Sequence, residues 1–163
     1  TALYKTECRY DVLKRAFLFG CLTGMRWSDI QKLTWEKLTM IDPRATFNHI
    51  KTGQLQYLYL PSDATMLLDS PGEAHERVFK GLRYSSYTNV ALSQWMLRAG
   101  ITKHITFHCA RHTFAVRMLT NDVDIYTVSK LLGHSELKTT QIYTDIIDRK
   151  RKEAMTTLPS LFQ

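Results

Sequence analysis

Residues 106–119, TFHCARHTFAVRML, read as a helix that carries a cation on its apolar side. Phe107, Phe114 and Met118 share one stripe, and Arg111 falls four residues after the first of them and three before the second. His108, three residues ahead of Arg111, shares that edge. A guanidinium buried without a partner is costly, so Arg111 calls for a carboxylate of its own chain, the commoner solution, or for a phosphate from outside. His108 and His112 stand four apart, which is half of a helical metal site. The zincin pattern puts Glu after the first His, where this chain has Cys109, and no third ligand is evident. The pair is therefore read as ordinary helix neighbours, and no metal is expected.

Upstream, helical spacing of Leu13, Ala16, Phe17 and Gly20 predicts a helix from about Arg9 to Leu22, stopped by Thr23-Gly24. Ser28-Asp29-Ile30-Gln31 reads as a capping box that opens a second short helix, which leaves Arg26 in a two-residue gap. Residues 45–60 hold two β-rich runs around Lys51-Thr52-Gly53-Gln54, a hairpin with Lys51 at the start of its turn. Pro61 ends the strand, a helix opens at Ser62, and Asp69-Ser70-Pro71-Gly72 breaks it. In residues 73–83 only Val78-Phe79 looks buried. A helix over about 86–99, with Val90, Leu92, Trp95 and Met96, is closed by Gly100. Further helices are predicted at 124–132 and 136–143, and from about Asp145 through RKRKE to Met155, Leu158, Leu161 and Phe162. The expected fold is mainly α with a small antiparallel β-sheet (α+β), one domain over residues 1–163.

At 163 residues, 44% hydrophobic and 23% charged, the chain suits a water-soluble domain with a true core. It has no apolar run near the ~20 residues of a membrane span and no signal-peptide layout at its start. A cytoplasmic protein with no membrane partner is expected. Cys8, Cys21 and Cys109 are odd in number and far apart, which suggests reduced thiols. Twenty-two Lys and Arg against 15 Asp and Glu give a net charge of +7, which favours a polyanionic partner. The chain opens at Thr1, without Met and close to a helical pattern, so a fragment of a longer protein is expected.

Six residues form the candidate site: Arg26, Lys51, His108, Arg111, His134 and Tyr143. Taken singly, each has an ordinary reading: an imidazole capping a helix end after Gly133, a half-buried structural tyrosine, a solvated turn lysine. Together, two guanidiniums, an ammonium and two imidazoles suit an anion with several oxygens, and a phenol beside them suggests its nucleophile. A DNA phosphodiester fits.

The order and spacing of the motifs sharpen this. TGMRWSDIQKLTW, then HCARHTFAVRML, then VSKLLGHSELKTTQIYT place His134 23 residues after Arg111 and Tyr143 nine after His134. Over residues 10–150 this series resembles the catalytic domain of tyrosine recombinases, the phage-type integrases. Trp27 and Asp29 stand where many members carry Ile and Glu, and Asn121-Asp122 replaces a common Asn-Gly or Asp-Gly; neither departure touches a catalytic position. The Arg-Trp-Ser-Asp form and the RKRKEAM tail are similar to integrases of bacterial conjugative or mobilisable elements.

The resemblance implies that Tyr143 attacks phosphorus and becomes a 3′-phosphotyrosine, with no cofactor. Arg26 and Arg111 would clamp the phosphate oxygens and His134 would add a hydrogen bond. His108 would manage the tyrosine proton, and Lys51 would protonate the leaving 5′ oxygen. It also implies double-stranded DNA as partner and a homotetramer that exchanges strands through a Holliday junction. The isolated fragment could stay monomeric. An N-terminal DNA-binding domain would lie upstream, outside residues 1–163. The tail, 150–163, would pack on a neighbouring subunit or on its own core. The rivals are a type IB topoisomerase, against which His108 counts because Lys usually stands there, and a catalytically silent DNA-binding module of the same fold.

Overall fold

The computed structural model describes residues 2–48, 55–133, 142–143, 148–149, 152–153 and 156. They divide into two compact units, 1–114 and 115–163. Lys51 with its turn, His134, most of 136–143 and most of the tail lie outside the described residues.

The first unit is built around α2 (Asp11–Thr23), which follows a short α1 (Ala2–Lys5). Leu13, Ala16, Phe17 and Gly20 are all buried, as their spacing predicted, together with Phe19 and Cys21. Phe17 meets the edges or faces of Trp95 and Phe107 at centroid distances of 5.7 and 5.5 Å. Such T-shaped pairs contribute about 0.5–1.5 kcal/mol each beyond the area they bury. A Cβ at Gly20 would lie 3.1 Å from the Ala110 Cβ, so the small residue lets the two backbones approach closely. Arg15 is structural: it bonds Asp11 and Asp69 at 2.6 and 2.9 Å and the Leu67 carbonyl at 3.2 Å.

The next helix, α3 (Trp27–Lys32), corrects the sequence reading. Its N-cap is Arg26, whose carbonyl accepts from the amides of Asp29 and Ile30 at 3.0 Å each, so Ser28 lies inside the helix and no side chain caps it. The gap after α2 is thus residues 24–26, one residue longer than predicted.

A three-stranded antiparallel sheet follows in the order β1 (Leu38–Thr39), β2 (Arg44–Asn48), β3 (Leu55–Tyr59). The hairpin strands are those expected; β1 is an addition. Ala45 pairs with Leu58 and both are buried, whereas Tyr57 and Tyr59 stand exposed on the alternate face with Arg44 over the Tyr57 ring. Beyond α4 (Ser62–Thr65), the chain returns beside the start of the sheet, where the Trp35 amide bonds the Glu76 carbonyl and the Val78 amide bonds that of Leu33. Val78 and Phe79 are buried, as expected, with Phe79 against Phe19.

In α5 (Ser86–Arg98), Ala91, Leu92, Trp95 and Met96 turn inward, but Val90 is exposed. The side chain of Ser85 caps this helix on the Thr88 amide, and Gly100, with φ 80°, follows its end.

Helix α6 (His108–Thr120) begins in the first unit. In the second unit the buried residues include Ala115, Leu119, Val128, Leu132 and Tyr143. Met118 is only half-buried, and Leu119 takes the inward place that the stripe had assigned to it. Asp124 caps α7 (Ile125–Leu131), and Gly133, with φ 61°, closes the following turn. No disulfide joins Cys8, Cys21 and Cys109. Among the described residues, no helix is long and apolar enough to cross a membrane.

Candidate functional site

Gly24 sets the geometry of the first unit's polar corner. It ends α2 in the left-handed region, φ 68°, with its amide bonded to the Gly20 carbonyl at 2.9 Å. A Cβ there would come within 2.5 Å of the Phe114 ring, so conformation and space both require glycine. Two residues on, the chain is extended again at Arg26 (φ −73°, ψ 156°), which begins α3.

The opening turn of α6 faces this corner. Thr106 precedes the helix and its amide donates to the Cys109 sulfur at 3.4 Å, while its carbonyl accepts from the Cys109 amide at 3.0 Å. Phe107 packs against Trp27, ring centroids 4.5 Å apart, which fixes the start of α6 beside the start of α3. Arg111, only 8% exposed, donates from Nη1 to the Gly24 carbonyl at 2.7 Å. A carbonyl at a helix C-terminus carries partial negative charge and serves the guanidinium as well.

His108 lies on the exposed side of the same turn, its ring edge-to-face with His112 at a centroid distance of 4.6 Å. Partial burial of the ring lowers its pKa below the ordinary histidine value, and the nearby charges of His112, Arg111 and Arg26 lower it further. That pattern marks Arg26, His108 and Arg111 as one positive neighbourhood. Among the described residues, no group of three metal-binding side chains forms around the two histidines.

Of the six predicted residues, Arg26, His108 and Arg111 therefore come together. Tyr143 is a buried side chain, 8% exposed, of the second unit, and Lys51 and His134 lie outside the described residues. Two contributors escaped the sequence reading. The Gly24 carbonyl was signalled only by its helix-stopping glycine, and His112 was set aside as an ordinary helix neighbour of His108.

The model of the Phage integrase family matches residues 2–150. Tyrosine recombinase XerC of Xanthomonas campestris pv. campestris is 32% identical over 133 residues, 76% of this chain and 41% of that protein. Tyrosine recombinase XerD of Lacticaseibacillus casei is 47% identical over 55 residues, 34% of this chain and 19% of that protein. The chain thus spans less than half the length of either relative. Among solved structures, the catalytic domain of bacteriophage HP1 integrase superposes with a TM-score of 0.69 at 24% identity, over 97% of this chain and 89% of that one. A XerH site-specific recombinase superposes with a TM-score of 0.71 at 19% identity, over 96% of this chain and 49% of that one. The structural likeness speaks for the fold and the family model for descent: the chain belongs to the phage integrase family, and its fold is that of a tyrosine recombinase catalytic domain.

Proposed function

We propose that this chain is the catalytic part of a site-specific recombinase that cuts and rejoins double-stranded DNA through Tyr143. The observation that carries the reading is the shared positive neighbourhood of Arg26, His108 and Arg111 in a member of this family. The net charge of +7 adds the general attraction to a phosphate backbone. The integrase of the Tn1549 transposon, similar in fold with a TM-score of 0.60, is described in complex with circular intermediate DNA, which supports DNA as the partner here.

A free phenol has a pKa near 10, so only about 0.1% of it is ionised at pH 7. Tyr143 therefore needs a proton acceptor and a positive site. In the proposed reaction its oxygen bonds to phosphorus while the bond from phosphorus to the 5′ oxygen breaks. His108, whose pKa its surroundings lower, accepts the phenolic proton and returns it on religation. Arg26 and Arg111 offer forked donors to the non-bridging oxygens as phosphorus becomes five-coordinate, and His134 adds another hydrogen bond. Lys51 gives the departing 5′ oxygen its proton. The ester energy is kept in the 3′-phosphotyrosine, so a second 5′ hydroxyl can reverse the reaction without a nucleotide cofactor. The assembly is a homotetramer on two duplexes, at work in the cytoplasm of a bacterium that carries the mobile element.

A nicked duplex bearing the element's own end sequence, mixed with the full-length protein, tests this. A covalent, SDS-resistant adduct, with joining of two partner sites, is expected. Plasmid relaxation without partner joining would point to topoisomerase chemistry instead, and DNA binding with no adduct would leave only a silent module.

A further inference from the structure

We propose that His112 is a positioning residue for His108, setting the plane of its imidazole by edge-to-face contact and placing a second titratable ring beside it. The catalytic side of this rests on His108 as the tyrosine's proton acceptor; the ring pair itself does not.

His108 stands on the exposed side of the first turn of α6, where a side chain with two rotatable bonds ordinarily samples several rotamers. His112, one turn on and half-buried, meets it at 4.6 Å with the ring planes 90° apart. Helix geometry holds the two residues in register, and the perpendicular contact selects one ring plane from those His108 could take. A base must point its lone pair at the proton it accepts, and fixing the ring removes that search from the reaction.

The pair also has an electrostatic consequence. Among the described residues, the charged groups facing His108 are His112 and Arg111 on its own helix and Arg26 at the start of α3. All three are cationic when protonated, so a proton on His108 is opposed from both elements.

The test reads the His108 ring by NMR titration of the full chain without DNA, in wild type and in His112→Phe and His112→Ala. Phe keeps a ring for the contact and removes the imidazole nitrogens. The His108 midpoint is expected to rise by about half a unit in both variants. His112→Gln should give the same rise and serves if the Phe variant does not fold. In the nicked-duplex assay, the acid limb of cleavage should move up by the same amount. The plateau rate should stay within about twofold for Phe and fall about tenfold for Ala, since only Ala frees the ring plane. A His108 midpoint unmoved in every folded variant overturns the proposal. A moved midpoint with an unmoved cleavage profile overturns the assignment of the tyrosine proton to His108 and with it the catalytic half.

Discussion

The Gly24 carbonyl accepts a hydrogen bond from Arg111 Nη1 at 2.7 Å, tying the turn that leads into Arg26 to the helix that carries His108. Gly24→Ala strikes this link twice, through its left-handed φ and through the Phe114 ring. The backbone cost alone is about 1–2 kcal/mol, and the clash adds to it. Urea unfolding of the variant should show a clearly lower midpoint, and adduct formation should fall even under conditions where it is folded. An unchanged midpoint would mean that the turn is not constrained as described.

Arg26→Ala and Arg111→Ala should each slow strand cleavage by on the order of 10² to 10³, the usual loss for one charge-stabilising donor. Affinity for the duplex, measured by fluorescence anisotropy, should stay largely intact. The two variants should differ in stability. Removing Arg111 strips the Gly24 carbonyl of a donor, at a cost of about 1–3 kcal/mol if the carbonyl stays buried, whereas Arg26 is half-buried at a helix start. Equal losses of binding and cleavage would argue that the arginines only hold DNA.

The pH dependence has a fixed sign. The folded chain holds the His108 pKa below its unfolded value of about 6.5, so the unfolded state binds the proton more readily. Stability should therefore fall as pH drops through about 6.5 toward the lower folded value, and His108→Gln should flatten the slope in that window. Unfolding midpoints taken at intervals across the window measure it. A slope identical in the variant would remove His108 as its source.

Asp124 supplies an opposite case. Its carboxylate accepts from the Thr127 amide at 2.9 Å and from the Thr127 hydroxyl at 2.6 Å, bonds that lower its pKa. The stabilisation is present above the ordinary Asp value and is lost as pH falls through the lowered one. Asp124→Ala should reduce thermal stability at neutral pH, while Asp124→Asn, still an acceptor, should retain most of it and be less sensitive to acid. Thermal melts at neutral and acidic pH separate the three proteins.

Glycine stops and helical spacing made α2, α5, α6 and α7 readable within a residue or two, because a left-handed residue such as Gly24 or Gly133 ends a helix wherever the core lies. What failed was local chemistry overruled by tertiary geometry. Ser28 has the sequence of a cap, but the extended backbone of Arg26 starts α3 earlier. The strand Leu38–Thr39 is too short to show any period and exists through its pairing with Arg44 and Ala45. Val90 and Leu119 show that apolar type alone does not fix the inward face. Of the candidate site, the motifs singled out Arg26, His108 and Arg111, which the fold brings to one corner. That a backbone carbonyl partners Arg111, and that His112 faces His108, depended on how α6 meets other chain segments and on one helical turn of ring packing.

In the proposed reaction one phenol, that of Tyr143, carries the DNA. Protease digestion of the full-length protein trapped on its nicked duplex, followed by mass spectrometry, should place the residual nucleotide on the peptide that contains Tyr143, and Tyr143→Phe should yield no adduct. A nucleotide on any other residue, or an undiminished adduct in Tyr143→Phe, would mean that a different group attacks the phosphorus.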